Sequence, residues 1–521
     1  MTMSTILGMR GFLASSIGVT CAAALALPGA LPASASVPGG RTASAFLADE
    51  ASSPAGTRAA SNASKASGAA NAANAAAAEA AVPGSTQSLP LAPLTRDRAI
   101  GSAASEQGVT RRDVRPFSLV GVIWDDPDTE LRGRVQVRTR SAGGNRWSGW
   151  QDVETHNHEH AADPDTAERD SGRVRGATAP LWVGNSNGVE VRVQAETDDR
   201  STSADDSPLP RGLHLELVDP GAGPSTRAPM EAPRAGAQAE ESAAASAANA
   251  DLAPLGAAEI PALSKERTEE EFLATQGARD AGSAPGAAQG AEQRAAQGSE
   301  QRAVGSARRV QQESERRAQP YIGPRPRIVT RRGWGANESL RERGFIYTGK
   351  VKAAFVHHTA SGNKYSCSQA PSVIRSIYRY HVKSSGWRDI GYNFLVDKCG
   401  TIYEGRAGGV AKPVMGAHTL GFNTNSMGIA VLGSFGSAKP TAAAVKAIAR
   451  LTAWKLGLFG ANPRGKTYLK SGGGNLYRKG KNVRLNVISG HRDGFATECP
   501  GRRLYSKLGT ARSTAARYQG R

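Results

Sequence analysis

Residues 353–382 read AAFVHHTASGNKYSCSQAPSVIRSIYRYHV. The run opens with an apolar stretch at 353–357 that predicts a buried strand ending in histidine. Over 368–382 the apolar residues recur at helical spacing, which predicts an amphipathic helix. A buried strand followed by such a helix is typical of an α/β domain.

The residues that follow continue this alternation. A hairpin is predicted from strands at 392–396 and 401–403, and another buried strand at 427–432. Thr441 is placed to cap a helix over 442–456. We therefore predict a C-terminal α/β domain with a mixed β-sheet flanked by helices.

The region before this domain has a different pattern. Short stretches within 115–220 alternate apolar and polar residues between polar turns, which predicts an all-β, sandwich-like accessory domain whose role is not evident. The regions on either side are rich in Ala, Ser, Gly and Gln, predicting disorder, with a short helix considered near 266–274. The predicted divisions are 1–35, a signal peptide; 36–113, disordered; 114–220, β-sandwich-like; 221–325, a flexible linker; and 326–521, the α/β domain.

Charge is unevenly distributed along the 521 residues. The chain carries a net charge of +19, but residues 326–521 alone hold 33 basic and 7 acidic residues. Such an excess predicts that the C-terminal domain works on a polyanion, which could be nucleic acid, an anionic membrane surface or an anionic cell wall.

The N-terminus narrows this choice. Arg10 precedes an Ala- and Leu-rich run, and Ala33-Ser34-Ala35 has the form of a cleavage site, which predicts a secretory signal peptide. The alternative is an uncleaved anchor, but prolines interrupt the run. No later run is apolar enough to span a bilayer. We therefore expect a secreted or cell-wall-associated protein whose physiological partner is not nucleic acid.

The cysteine count points to a special thiol. Cys21 would leave with the signal peptide, and three cysteines in an exported protein imply one pair and one thiol with another use. Cys499, His491 and His357 could together bind zinc, which accepts thiolate and imidazole ligands. On spacing alone, a core thiol beside a surface histidine is an equal alternative.

A second group of histidines lies in the β-domain. Residues 156–160 read HNHEH, and alternate histidines on a strand could share a metal. The segment continues AADPD, which favours a solvated loop.

Seven ordered motifs resemble one known family. The chain is similar to the zinc N-acetylmuramoyl-L-alanine amidases and peptidoglycan recognition proteins over about residues 327–515. The motifs are FVHHT at 355–359, WRDIGYNF at 387–394, IYEGR at 402–406, GAHT at 416–419, MGIA at 427–430, GHRD at 490–493 and TECPG at 497–501.

The resemblance implies a zinc-dependent amidase that cleaves the bond between N-acetylmuramic acid and L-Ala of peptidoglycan. It assigns the zinc ligands to His357, His491 and Cys499, and oxyanion stabilisation to Tyr392. Thr497 occupies a position where phage members have Lys, so its hydroxyl is expected to orient water or the carbonyl.

The resemblance also implies further contacts. His358, His418 and Arg406 are expected near the substrate, and Cys367 and Cys399 are expected to form a disulfide. The alternative function is a non-catalytic peptidoglycan-binding module, although such members typically lack the zinc cysteine.

A basic stretch lies within the same domain. Residues 464–484 contain seven Lys or Arg residues and no acidic one. Such a stretch is either a solvated loop or a contact for anionic cell-wall polymers.

Overall fold

The computed structural model describes residues 83–94, 105–155, 157–196, 209–223, 237–282 and 320–521. The predicted signal peptide and most of the predicted disordered segment lie outside the described residues. The strands are β1 Ser85–Pro90, β2 Ala92–Pro93, β3 Glu106–Trp124, β4 Gly133–Ser141, β5 Gln151–Val153, β6 Gly176–Ala177, β7 Leu181–Ala195, β8 His214–Asp219, β9 Glu259–Ile260, β10 Ile328–Val329, β11 Ala353–His358, β12 Phe394–Val396, β13 Ile402–Glu404, β14 Ser426–Val431, β15 Lys466–Lys470, β16 Asn482–Asn486 and β17 Ile488–Gly490. The α-helices are α1 Ala237–Ala247, α2 Lys265–Gly282, α3 Arg331–Trp334, α4 Ala370–Arg379, α5 Ala442–Gly457, α6 Arg502–Tyr505 and α7 Leu508–Gln519.

The N-terminal domain is built from β1 to β8, which pair antiparallel in the order β1-β8-β3-β7-β4-β5, with β2 and β6 also on β3. Val135, Val137 and Val191 lie in its core, and the second half of β3, Phe117–Trp124, is buried on both faces. The prediction of an all-β domain is confirmed. It begins earlier than predicted, because β1 pairs with β8 in register from Ser85 to Pro90.

The C-terminal domain contains a mixed sheet in the order β17-β11-β14-β12-β13-β10-β9. Strand β11 runs parallel to β14 and β17, whereas β12 and β13 form an antiparallel hairpin. Ile429 and Ala430 lie in two different cores, one packed with α5 and the other with α4. Helices therefore cover both faces, as the sequence predicts.

Local signals account for the ends of these elements. The Thr441 hydroxyl accepts a hydrogen bond from the Ala444 amide at 3.1 Å and caps α5 as predicted. Before α4, Cys367 forms a disulfide with Cys399 across 32 residues, which confirms the expected pair. Residues 464–484 are a hairpin of β15 and β16 rather than an irregular loop.

The interdomain region differs from the predicted flexible linker. Strand β9 pairs antiparallel with β10, and Ile260 is fully buried in the α5-side core. The Asn249 side chain donates to Glu404 Oε1 at 2.9 Å and accepts from the Val410 amide at 2.8 Å. Residues 237–275 thus pack onto the C-terminal domain. The pairing of β9 with the sheet edge, together with a few apolar and amide side chains, is enough to order this segment despite its composition.

The two domains share an apolar core. Leu119 and Trp182 of the β-domain pack in one cluster with Ile377 and Tyr380. Tyr380 donates to the Thr178 carbonyl at 3.1 Å. The β-domain is therefore docked firmly against the α4 face. Among the described residues, no helix combines the length and the apolarity needed to cross a bilayer.

Candidate metal centre

Four buried side chains converge at one edge of the C-terminal sheet. The ligand atoms of His160, His357, His491 and Cys499 all lie within 4.8 Å of one another. His357 is near the end of β11 and His491 directly follows β17. These two strands are parallel, with Val356 opposite Gly490, so their next residues necessarily meet. The three residues assigned by the resemblance therefore come together.

The spacing of the donor atoms suits a zinc ion. Cys499 Sγ lies 3.6 Å from His160 Nε2 and 3.8 Å from His357 Nδ1. A tetrahedral ion with bonds of about 2.3 Å to sulfur and about 2.0 Å to nitrogen holds those two atoms about 3.5 Å apart. The observed distances are close to that value.

The electrostatics of the cluster also fit a cation. Burial, reinforced by neighbouring imidazoles, holds the pKa values of His160, His357 and His491 well below the usual range, so the rings are neutral. Neither ring nitrogen of His491 makes a hydrogen bond of good geometry with any residue in the described parts of the chain. Burial raises the pKa of the Cys499 thiol, so its thiolate needs a neighbouring cation. Three neutral imidazoles and a buried thiol form a donor set that zinc accepts.

His418 supports the cluster from behind and does not line an open groove. It is fully buried, and its Nδ1 lies 3.3 Å from His357 Nε2 and 3.0 Å from Thr419 Oγ1. A Cβ at Gly428 would come within 2.4 Å of the His418 ring, so the ring fills a space left by glycine. The substrate contact expected of His418 is not available in this arrangement, because the buried ring lies against the imidazole of His357.

Tyr392, His358 and Thr497 surround the cluster. The Tyr392 ring centre is 5.6 Å from that of His357 and 5.8 Å from that of His160. Burial raises the pKa of Tyr392 well above its usual value, so the hydroxyl remains a proton donor. His358 is buried on β11, and the Phe435 amide donates to its Nδ1 at 3.4 Å.

Thr497 contacts a segment that the sequence did not associate with the site. Its hydroxyl donates to Glu159 Oε1 at 2.6 Å and accepts from the Cys499 amide at 3.1 Å. The cavity between Tyr392, His358 and Thr497 has a volume of only about 10 Å³. That volume is about the space that one water molecule needs.

Arg406 is also covered in this structure. Its guanidinium donates to both carboxylate oxygens of Glu168 at 2.9 Å, and the two side chains are only 4% and 2% exposed. The expected substrate contact of Arg406 is therefore not available in this arrangement, because a residue of the β-domain occupies its donor groups.

The sequence did not identify His160 and Glu159 as site residues. His156 lies outside the described residues, and His158 is not one of the four residues of the cluster but pairs with Glu130 at 3.0 Å and lies 3.6 Å from Glu159 Oε2. The prediction of a solvated loop is wrong for Asn157, Glu159 and His160, which are all buried. The alternative interpretation, in which alternate histidines on one face of a strand share a metal, does not hold either, because residues 157–160 are not a strand and His158 is not part of the cluster. The polar residues that follow indicated exposure and proved misleading.

Replacing Arg406 with alanine is expected to destabilise the protein by about 3–5 kcal/mol, because Glu168 would remain buried without its partner. The measurement is the urea midpoint of unfolding. The matched control is Arg134→Ala, which removes an ion pair whose side chains are 61% and 62% exposed and should leave the midpoint nearly unchanged. Equal shifts for both variants would contradict the prediction.

Comparison with known proteins assigns both domains. Residues 72–231 match the family described as Rv3811 N-terminal galactose-binding domain-like, and residues 347–502 match the N-acetylmuramoyl-L-alanine amidase family. Peptidoglycan-recognition protein SC2 of Drosophila simulans is 33% identical over 185 residues, which are 35% of this chain and 85% of that protein.

Two further proteins are similar over the same region. The N-acetylmuramoyl-L-alanine amidase of Homo sapiens is 32% identical over 187 residues, which are 36% of this chain and 28% of the human protein. The structure of Drosophila PGRP-LB is 27% identical with a TM-score of 0.28, covering 35% of this chain and 92% of that one. With the SC2 match spanning most of its relative, the chain belongs to the family of peptidoglycan-recognition proteins and N-acetylmuramoyl-L-alanine amidases.

Proposed function

We propose that this protein is a secreted, zinc-dependent N-acetylmuramoyl-L-alanine amidase that hydrolyses the amide between N-acetylmuramic acid and L-Ala in peptidoglycan. The observation that carries the proposal is the convergence of His357, His491 and Cys499 in one buried cluster beside Tyr392. The names of the similar proteins support peptidoglycan as the substrate class and amide hydrolysis as the reaction.

The chain's own residues divide the chemistry among them. His357, His491 and Cys499 would hold zinc, which lowers the pKa of water and polarises a carbonyl when bound. The Tyr392 hydroxyl, protonated in its buried position, would donate to the amide oxygen as negative charge develops there. The Thr497 hydroxyl can donate and accept, so it would orient water or the substrate carbonyl. His418 would keep the His357 ring in place.

Export is the second part of the proposal. The signal-like N-terminus supports it, and so does the Cys367–Cys399 disulfide, because such bonds persist in oxidising compartments. Peptidoglycan is then the partner, and anionic cell-wall polymers are a further partner through the basic hairpin of β15 and β16.

The test of the activity is digestion of purified sacculi followed by mass spectrometry. Stem peptides that begin with L-Ala should appear, disappear when a chelator is added and return when zinc is restored. Soluble sugar fragments that keep their peptides would contradict the proposal, because a different bond would then be cut.

A second candidate function is peptidoglycan binding without hydrolysis. The observation that favours it is the name of the similar Drosophila simulans protein, which states recognition of peptidoglycan and does not mention hydrolysis. A binding module would sediment with sacculi and release no L-Ala peptides under any metal condition.

Binding to whole cell walls is expected to fall steeply with salt if the basic hairpin attracts wall polymers. Its seven basic side chains are all exposed: Arg464, Lys466, Lys470, Arg478, Lys479, Lys481 and Arg484. Exposed charges are screened, since the Debye length is about 10 Å at 0.1 M salt and about 3 Å at 1 M. The measurement is pelleting with purified walls across a salt series.

A charge-matched pair of variants makes this test specific. Changing Lys466, Lys470 and Lys481 to Gln should reproduce the high-salt result at low salt. Changing the exposed lysines at 439, 446 and 507 removes the same charge elsewhere and should not. If wall binding changes neither with the salt concentration nor in the hairpin variant, the basic hairpin is not the attachment site. The β-domain would then be assigned that role.

A further inference from the structure

The loop between β5 and β6 reaches across from the β-domain into the metal centre. We call residues 157–175 the closing segment. Its buried polar residues are Asn157, Glu159, His160, Asp163 and Glu168. Buried polar groups need partners, and the C-terminal domain supplies hydrogen bonds to Glu159, Asp163 and Glu168.

We propose that His160 is a fourth zinc ligand and that the closing segment holds the full chain in a latent form, which becomes active when the segment is displaced. The inference rests on the proposed amidase function.

The metal end of the closing segment gives the first argument. Catalytic zinc sites have three protein ligands and keep one position open, whereas sites with four protein ligands are closed. The His160 ring centre lies 4.5 Å from that of His491 and 5.2 Å from that of His357. With Cys499 Sγ 3.6 Å from His160 Nε2, the fourth donor comes from a different domain than the other three.

The residues beside the metal centre also contact the closing segment. Glu159 accepts the hydrogen bond of the Thr497 hydroxyl, and its carbonyl accepts from the Leu420 amide at 2.9 Å. The His160 ring packs edge-on against Tyr392. The two side chains proposed to handle the substrate carbonyl therefore both contact the closing segment, and the remaining cavity of about 10 Å³ excludes a peptide.

Two carboxylates anchor the rest of the closing segment. Asp163 Oδ1 accepts from the Gly421 amide at 2.8 Å, the Asn423 amide at 3.2 Å and Asn423 Nδ2 at 2.7 Å. Glu168 makes the bidentate pair with Arg406. Charge-assisted bonds of this kind fix geometry and are replaceable by other carboxylates. A ligand rich in carboxylates could thus compete for the same donors.

The body of the β-domain does not need to move for opening. Its contact with α4 is a shared apolar core, whereas the closing segment contacts the C-terminal domain mainly through polar groups. We therefore assign the movement to the closing segment alone.

The test compares the full chain with His160→Ala, using the zinc dissociation constant, the absorption of the cobalt(II) form with azide, and turnover of sacculi. His160→Ala should weaken zinc binding at least tenfold, since a ligand is lost. Azide should shift the cobalt(II) spectrum of the variant and not that of the native chain, and turnover should rise at least tenfold.

Two further variants guard against a folding artefact. Glu168→Gln keeps all four donors and an oxygen that can accept from Arg406, but it removes the ion pair, so it should loosen the closing segment and raise turnover and the azide response. Asp170→Ala is the matched control, because Asp170 lies in the same segment with an exposed side chain, and it should behave like the native chain.

The outcomes separate the two proposals. Equal azide responses, or equal zinc affinities, in the native chain and His160→Ala would overturn His160 as a ligand. Equal turnover in these two proteins would overturn latency. If the azide difference appears but neither protein releases L-Ala peptides, His160 is supported as the fourth zinc ligand and the proposed amidase function is contradicted.

Discussion

Cys499→Ala is expected to abolish hydrolysis and to weaken zinc binding by more than about 100-fold, which exceeds the effect of changing only an outer partner of a metal ligand. The thiolate is the only anionic donor in the cluster, so its loss leaves neutral imidazoles to hold a dication. The variant should still fold, because Cys499 is the free cysteine and the disulfide joins Cys367 to Cys399. The measurements are zinc content and turnover, made on protein whose circular dichroism matches the native chain.

The matched control removes the two cysteines of the disulfide. Changing Cys367 and Cys399 to Ser should lower the free energy of unfolding by on the order of 3–4 kcal/mol, from the entropy of a 32-residue loop, while zinc binding is kept. Full zinc occupancy and normal turnover in Cys499→Ala would remove this residue from the site.

Tyr392→Phe is expected to keep zinc and to lose about 10²–10³ in turnover, the usual cost of removing one donor to a developing oxyanion. The change deletes only the hydroxyl, so the packing of the ring against His357 and His381 should persist. The comparison should be made in the native chain and in the His160→Ala background. In that background the closing segment no longer covers the Tyr392 hydroxyl, so the hydroxyl can reach the substrate.

Tyr403→Phe is the control for losing a buried tyrosine hydroxyl. Tyr403 donates to Asp397 Oδ2 at 2.9 Å, on the hairpin and away from the cluster. Its loss should reduce stability and leave turnover unchanged. A Tyr392→Phe enzyme with the native rate at saturating substrate would reduce Tyr392 to a packing residue.

The sequence was most informative where the residues of one feature lie within one domain. The strand and helix spacing around His357 predicted the mixed sheet, and the family motifs identified the three donors that the structure brings together. The Thr441 cap was predicted from a local signal, the residue that precedes a helical pattern. The disulfide was predicted from the family resemblance.

The features that were missed depend on contacts between distant parts of the chain. His160 meets Cys499 across 339 residues, and no local pattern records which polar loop will be buried by another domain. His418 lies in a family motif, but the motif does not tell whether a side chain faces the groove or the back of a ligand. Burial of polar residues is decided by tertiary partners, which composition does not reveal.

Strand β9 has a practical consequence for anyone who shortens this protein. The amidase family match begins at residue 347, yet the outer strands of its sheet are β10 and β9, at 328–329 and 259–260. A fragment cut at 347 would leave β13 as a bare edge, deprive Glu404 of Asn249 and remove Ile260 from the core. Unpaired edges of this kind invite aggregation by strand addition. A fragment that keeps this sheet edge must therefore begin no later than Ala237, about 110 residues upstream of the family boundary.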